Sequence, residues 1–231
     1  MTAAGAHARW VARTRGGRHW SDIAGSVAFL LLAVWMVVSA PRISLALVPV
    51  FAYELAFAVA FLIRGRARST LRGWWPRVAA YTGSFLVPAF LALANRARPA
   101  WVASVSSIAP TRAYVLLPVG ALLIVAGSLL SAWGLWYLRA SVSLVPAARG
   151  LVMSGPYALA RHPLYLAYLL SYAGLLLQHP TAPLALALAA WFAFTLARIR
   201  YEESVLERVF PAYADYRARV GAFGPRITSA I

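Results

Sequence analysis

Cysteine is absent from the 231 residues, which removes disulfides, thiolate metal sites and a thiol nucleophile together. Acid is nearly absent too: six Asp and Glu face 22 Lys and Arg, for a formal net charge of +16. Charge of either sign makes up only 12% of the chain, about half the fraction usual in a soluble domain. The four histidines are dispersed without ligand spacing, so no metal site is expected. No nucleic-acid recognition module accompanies the positive charge. The arginines therefore read as holding loops at an anionic membrane surface, and no nucleic-acid partner is expected.

Apolar residues supply what charge does not. They form 62% of the chain, mean hydropathy is positive, and they gather into six runs near the ~20 residues a membrane helix needs. The runs are Ile23–Ala40, Ser44–Ile63, Val78–Ala94, Tyr114–Leu138, Pro163–Leu177 and Ala182–Ala197. The last two are shorter, separated only by "QHPTAP", and read as a tight helical hairpin. The first run follows an arginine-bearing tail, and no A-x-A-like site closes it, so it reads as a span rather than a cleavable signal. The expected fold is an all-α, polytopic transmembrane bundle of five to six segments with a C-terminal helical hairpin and a short cytoplasmic helix.

Arginine placement orients the bundle. Eighteen arginines fall in the N-terminal tail, the second loop, the loop after the fourth run and the C-terminal tail. Arg42, Arg96, Arg98 and Arg112 fall on the other side. The positive-inside rule then puts both termini in the cytoplasm. The chain divides into a basic tail (1–22), N-terminal spans (23–138) and a polar-richer C-terminal region (139–231).

Polar chemistry is concentrated in that last region. In the N-terminal half Glu54 is the one acidic residue inside a run, either a functional intramembrane carboxylate or a hydrogen-bonded structural one. Trp74, Trp75 and Trp101 sit beside span ends, where indole rings prefer the interface. By contrast "SGPYALARHPLYLAYLLSYAGLLL" opens with a Gly155-Pro156-Tyr157 turn and starts a helix at Pro163. Arg161, Tyr165, Tyr168 and Tyr172 follow at spacings that share one helical face. Tyr172 lies roughly 13 Å deeper than the entry at 1.5 Å per residue. A polar stripe of that depth suits a cavity wall better than an interfacial belt. Downstream, Glu202 and Glu203 point about 100° apart on a helix, with Arg198 placed to pair with Glu202 at i, i+4. "VFPAYADYRARVG" reads as a short amphipathic helix opened by Pro211 and closed by Gly221, with Tyr213, Tyr216 and Arg217 on one face.

The runs "ARGLVMSGPYALARHPLYLAYLL", "RYEESVLERVFPAYADYRARV" and "GPRI" together resemble the isoprenylcysteine carboxyl methyltransferase family, in its short prokaryotic form. That family is related to the phospholipid N-methyltransferases and, more distantly, to membrane sterol reductases. The resemblance covers roughly residues 140–227. It departs at Ala167, where glycine is common, so the cofactor is expected to sit slightly differently there. What it implies is a membrane S-adenosylmethionine-dependent methyltransferase, with the cofactor capped by the C-terminal segment and a lipophilic acceptor entering from the bilayer. The implied cofactor-binding residues are Tyr157, His162, Pro163, Tyr165, Glu202, Glu203, Tyr213 and Tyr216. Arg161 is the expected anchor for an acceptor carboxylate, with Arg217 second. Lipid N-methylation, an NADPH-dependent isoprenoid reductase and a silent transport or scaffold protein are the competing readings.

Overall fold

The computed structural model describes residues 20–39, 47–65, 67–71, 73–97 and 110–226. Seven α-helices stand among them: α1 (Trp20–Ser39), α2 (Leu47–Ile63), α3 (Trp74–Ala97), α4 (Pro110–Leu138), α5 (Pro163–Gln178), α6 (Ala182–Val209) and α7 (Ala212–Arg219). The mostly helical class expected from the sequence is therefore observed. Two stretches, Val115–Ser141 and Ala182–Val209, are long and apolar enough to cross a membrane, and Pro163–Gln178 is a shorter apolar helix. On the described residues, two of the five to six expected spans thus meet both length and hydropathy. The basic tail before Trp20, Trp101 and the side chain of Glu54 lie outside the described residues.

Many large apolar side chains face outward, among them Leu31, Val38, Leu122, Leu129 and Trp136. Such surface would be a liability in water, and lipid is the solvent that suits it. Trp74 and Trp75 are exposed at the start of α3, their rings tilted by 30° with centroids 4.0 Å apart.

The sequence reads α5 and α6 as a packed hairpin, yet each finds its main partner elsewhere: α5 lies along α4, and α6 lies along α3. For α5 the cause is glycine. Gly120, Gly127 and Gly134 recur every seventh residue on α4 and face Gly174, Ala167 and Leu164 of α5. A Cβ on Gly120 would stand 2.7 Å from the carbonyl oxygen of Gly174, and one on Gly127 would stand 2.5 Å from that of Ala167. Between apolar helices in lipid, such backbone approach supplies the packing that decides partners. Ala167 accordingly belongs to this interface and does not line the cavity described below.

At the end carrying Arg64 and Arg139 the two halves of the chain are stitched together by backbone. β1 (Ser69–Thr70) pairs antiparallel with β2 (Ala147–Ala148). Gly65 N–H donates to Ala140 O, Arg68 N–H to Ala148 O, and Arg149 to the carbonyl of Gly65. The loop after α4, with its short 3-10 turns at Arg139–Ser141 and Gly155–Ala158, is held as a platform beneath the helices.

Candidate functional site

Pro163 begins α5 and places the preceding Arg161 and His162 where the helix meets the platform. The backbone N–H groups of Arg161 and His162 donate to the carbonyls of Gly221 and Ala222 (both 2.9 Å), which draws the segment after α7 over the start of α5. Antiparallel to this, α6 runs unbroken beyond the apolar run expected to end at Ala197 and carries Arg198, Glu202 and Glu203 to the same place.

Both glutamates turn inward. Glu203 is buried, and its Oε1 accepts from Arg161 Nε and Nη2 and pairs with His162 Nε2, each at 2.9 Å. Arg161 also donates to the carbonyls of Arg217 and Val220. Its guanidinium, expected as an acceptor anchor, is thus engaged with a carboxylate and with the backbone of the capping segment. Glu202 is less enclosed and lines the cavity; its Oε1 accepts from Tyr165 Oη at 2.7 Å and Arg198 Nε at 3.0 Å. Both bonds end on Oε1, which leaves Oε2 to accept from a ligand.

Arg198 is the residue the sequence undervalued. An i, i+4 pair at the end of a span reads as a solvated surface contact worth a few tenths of a kcal/mol. In the fold its side chain is 8% exposed. Beyond Glu202 it donates to Ser84 Oγ at 2.8 Å and Ser143 O at 3.1 Å, and it lies over the Tyr165 ring at 5.4 Å. One guanidinium thereby joins α3, α5, α6 and the platform. The available signal was its position one turn before the Glu202-Glu203 pair, on the side of α6 that carries Thr195 and Glu202.

These groups surround a cavity of about 150 Å³. Tyr157, Arg161, His162, Pro163, Tyr165, Glu202, Tyr213 and Tyr216 all line it, together with Arg198. Glu203 stands behind Arg161 and His162, and Arg217 lies outside, half-exposed, ion-paired to Glu207 with its Nε 3.6 Å from Glu203 Oε2. The phenols around the mouth are held neutral. Burial, reinforced by Glu202, raises Tyr157 well above its ordinary value. Burial and Glu203 raise Tyr213, and burial pushes Tyr216 up to about 12. Tyr216 donates to the carbonyl of Tyr157, fixing α7 to the Gly155–Ala158 turn. The buried Tyr213 hydroxyl lies near Glu203 without a hydrogen bond of ordinary length. Phe29, Phe57, Phe61, Tyr168 and Tyr172 complete an apolar and aromatic wall. Among the described residues no group of three or more His, Cys, Asp or Glu is arranged to hold a metal ion.

Residues 115–213 match the phospholipid methyltransferase family. This is the family of isoprenylcysteine carboxyl methyltransferase-like membrane methyltransferases, and it bears out the resemblance read in the sequence. The chain is also similar to the cobalt-zinc-cadmium resistance protein CzcN of Cupriavidus metallidurans, 43% identical over 79 residues, which are 34% of this chain and 37% of that protein. The nickel-cobalt-cadmium resistance protein NccN of Alcaligenes xylosoxydans xylosoxydans is 42% identical over 79 residues, with the same coverage. The match thus spans little more than a third of the length of these curated relatives.

Proposed function

We propose, from a C-terminal region that matches the phospholipid methyltransferase family over residues 115–213, that the protein is an integral membrane methyltransferase using S-adenosylmethionine and acting on a lipophilic anion. One observation carries this reading: the same cavity has a polar mouth formed by Glu202, Tyr165, Tyr213 and Arg198 and an apolar wall formed by helix residues. Such a compartment suits the meeting of a water-soluble donor with a bilayer-borne acceptor.

The residues at the mouth fit the donor's chemistry. When bound, the cofactor supplies an electrophilic methyl group on a sulfonium. Glu202 can accept from a pair of ribose hydroxyls through Oε2. Neutral tyrosine faces attract a desolvated cation by roughly 0.5–2 kcal/mol each, and the Tyr213 hydroxyl offers a donor to a carboxylate. Arg161, His162 and Glu203 brace the segment that closes over the site.

A carboxylate acceptor, with a pKa of about 4, is already ionised and asks no residue to remove a proton. The residues around the mouth would hold the acceptor oxygen in line with the methyl group that a bound cofactor would supply. The chain's task is positioning, which supplies much of the rate in such displacements. Arg198 is the cation we assign to the acceptor: its guanidinium, held by Glu202, Ser84 and Ser143 and lying over the Tyr165 ring, brings a fixed positive charge to the cavity wall, whereas Arg161 is held by Glu203 at the capping segment and Arg217 lies outside the cavity. A protonated amine headgroup would meet Arg198 as a like charge and would first need a base, which weighs against lipid N-methylation. The relatives' names speak of metal resistance; the donor set at this site offers hydrogen bonds and aromatic faces, and methyl transfer is the chemistry it suits.

The test is methyl transfer to a short prenylcysteine acid at saturating donor. Arg198→Ala is expected to lower the rate by about thirtyfold or more, the consequence of removing one partner of a desolvated charge pair. Arg198→Lys, which keeps the charge and loses the fork, should recover part of it. Transfer to an amine lipid in preference to every acid offered would overturn the anionic acceptor.

A further inference from the structure

We infer that an aromatic layer centred on Phe29 and Phe57 closes the apolar end of the cavity and limits the length of acceptor tail the protein takes, an inference that rests on the methyl-transfer reading of the same site. Ring contacts order the wall. His162 stacks on Tyr165 at 5.6 Å, Tyr165 is 6.3 Å from Tyr168, and Tyr168 is 6.5 Å from Phe57. Phe57 in turn stacks on Phe29 at 5.1 Å. This series leads from the polar mouth to two buried rings that line the cavity.

The rings continue across the bundle. Phe29 is 6.0 Å from Phe85 of α3, while Tyr168 is 6.4 Å from Tyr172, which meets Trp191 of α6 edge-on at 4.8 Å. At 1.5 Å per residue, Phe29 lies about 14 Å into α1, Phe85 about 16 Å into α3 and Tyr172 about 14 Å into α5, with Phe57 about 9 Å before the end of α2. Five helices thus contribute rings to one connected series. Trp191 fixes it to α3 by donating its indole N–H to Gly83 O at 2.9 Å.

The size of the space agrees with a floor. From Tyr165 to Tyr172 the wall runs about 10 Å along α5. A tail longer than the wall has to displace Phe29 or Phe57, and close-packed rings do not yield without loss of contact. Both residues come from helices outside residues 115–213. Tail selection therefore resides in the N-terminal half, apart from the cofactor residues.

The experiment measures binding, so it does not depend on turnover. Protein in lipid nanodiscs is titrated with thioether acids of N-acetylcysteine bearing one, two or three isoprene units, and thermal stabilisation is converted to affinity. The unaltered protein should favour the shorter acids. Phe57→Leu, which keeps the site apolar, should raise the ratio of longest- to shortest-acid affinity by about tenfold, since each further buried methylene is worth about fourfold. Phe57→Trp should lower that ratio. An unchanged ratio in both variants overturns the floor, and so does failure of every acid to bind. Adenosylhomocysteine, titrated into the same preparations, reports on the cofactor reading separately: its binding with an unchanged tail ratio condemns the floor alone.

Discussion

Two adjacent carboxylates do different work because their surroundings differ. Glu203 gathers Arg161, His162 and the edge of Arg217, and it holds the capping segment to α5. Glu202 keeps one oxygen for Tyr165 and Arg198 and faces the cavity with the rest. The phenols show the same division between bracing and readiness. Tyr216 braces, and its deletion is testable by pH. Tyr216→Phe removes the bond to Tyr157 O, which should cost about 1 kcal/mol of stability at neutral pH. The folded phenol, pushed up to about 12, stands above the unfolded value of about 10. The unfolded chain therefore loses its proton first as pH rises. The contribution of Tyr216 is fully present below about pH 10 and is lost between about 10 and 12. Thermal melts of the two proteins should accordingly differ most at neutral pH and converge through that window; a constant gap would show that Tyr216 does not titrate differently in the two states.

Among the elements, the α4–α5 pair sets the geometry of the site, because α5 carries Arg161, His162 and Tyr165 at its start. Gly127→Val would drive a side chain into Ser171 and the Ala167 carbonyl, an overpacking that typically costs 1–3 kcal/mol. Gly224→Ala is the matched control, with nothing within 4 Å of the added carbon. Melting temperature should fall for the first and hold for the second; equal stability of both would mean that α5 is placed by something other than the glycine contact. This pairing was only half legible in advance. The Pro163 start, the α7 helix and the convergence of the Arg161–Tyr165 and Glu202–Tyr216 stretches follow from caps, spacing and motif order. The partner choice of α5 does not, since a helix apolar on most faces carries no amphipathic signal of which side is buried. The glycines at 120, 127 and 134 were the readable clue, through their sevenfold spacing. Arg198 was legible as a pair with Glu202 but not as a buried junction, because its other partners, Ser84 and Ser143, lie on segments far away in the chain. The β1–β2 stitch joins loops whose composition gives no strand signal at all.

On the scale of the whole molecule, the N-terminal helices and the motif-bearing C-terminal region make one compartment: Phe29, Phe57, Gly83 and Ser84 from the first meet Tyr165, Arg198 and Tyr213 from the second. Apolar residues face outward over much of the helical surface while polar residues converge inside one end. That distribution suits an enzyme whose acceptor lives in lipid and whose methyl donor lives in water. The claim on which the rest depends is that this compartment takes an adenosyl sulfonium cofactor with Glu202 as a ligand, and calorimetric titration of adenosylhomocysteine into the purified protein tests it most directly. Saturable binding is predicted, with no competition from NADPH. Glu202→Ala should weaken it by about ten- to a hundredfold, the worth of a hydrogen bond to a charged group. Selective binding of NADPH, or an adenosylhomocysteine affinity indifferent to Glu202, would contradict the account.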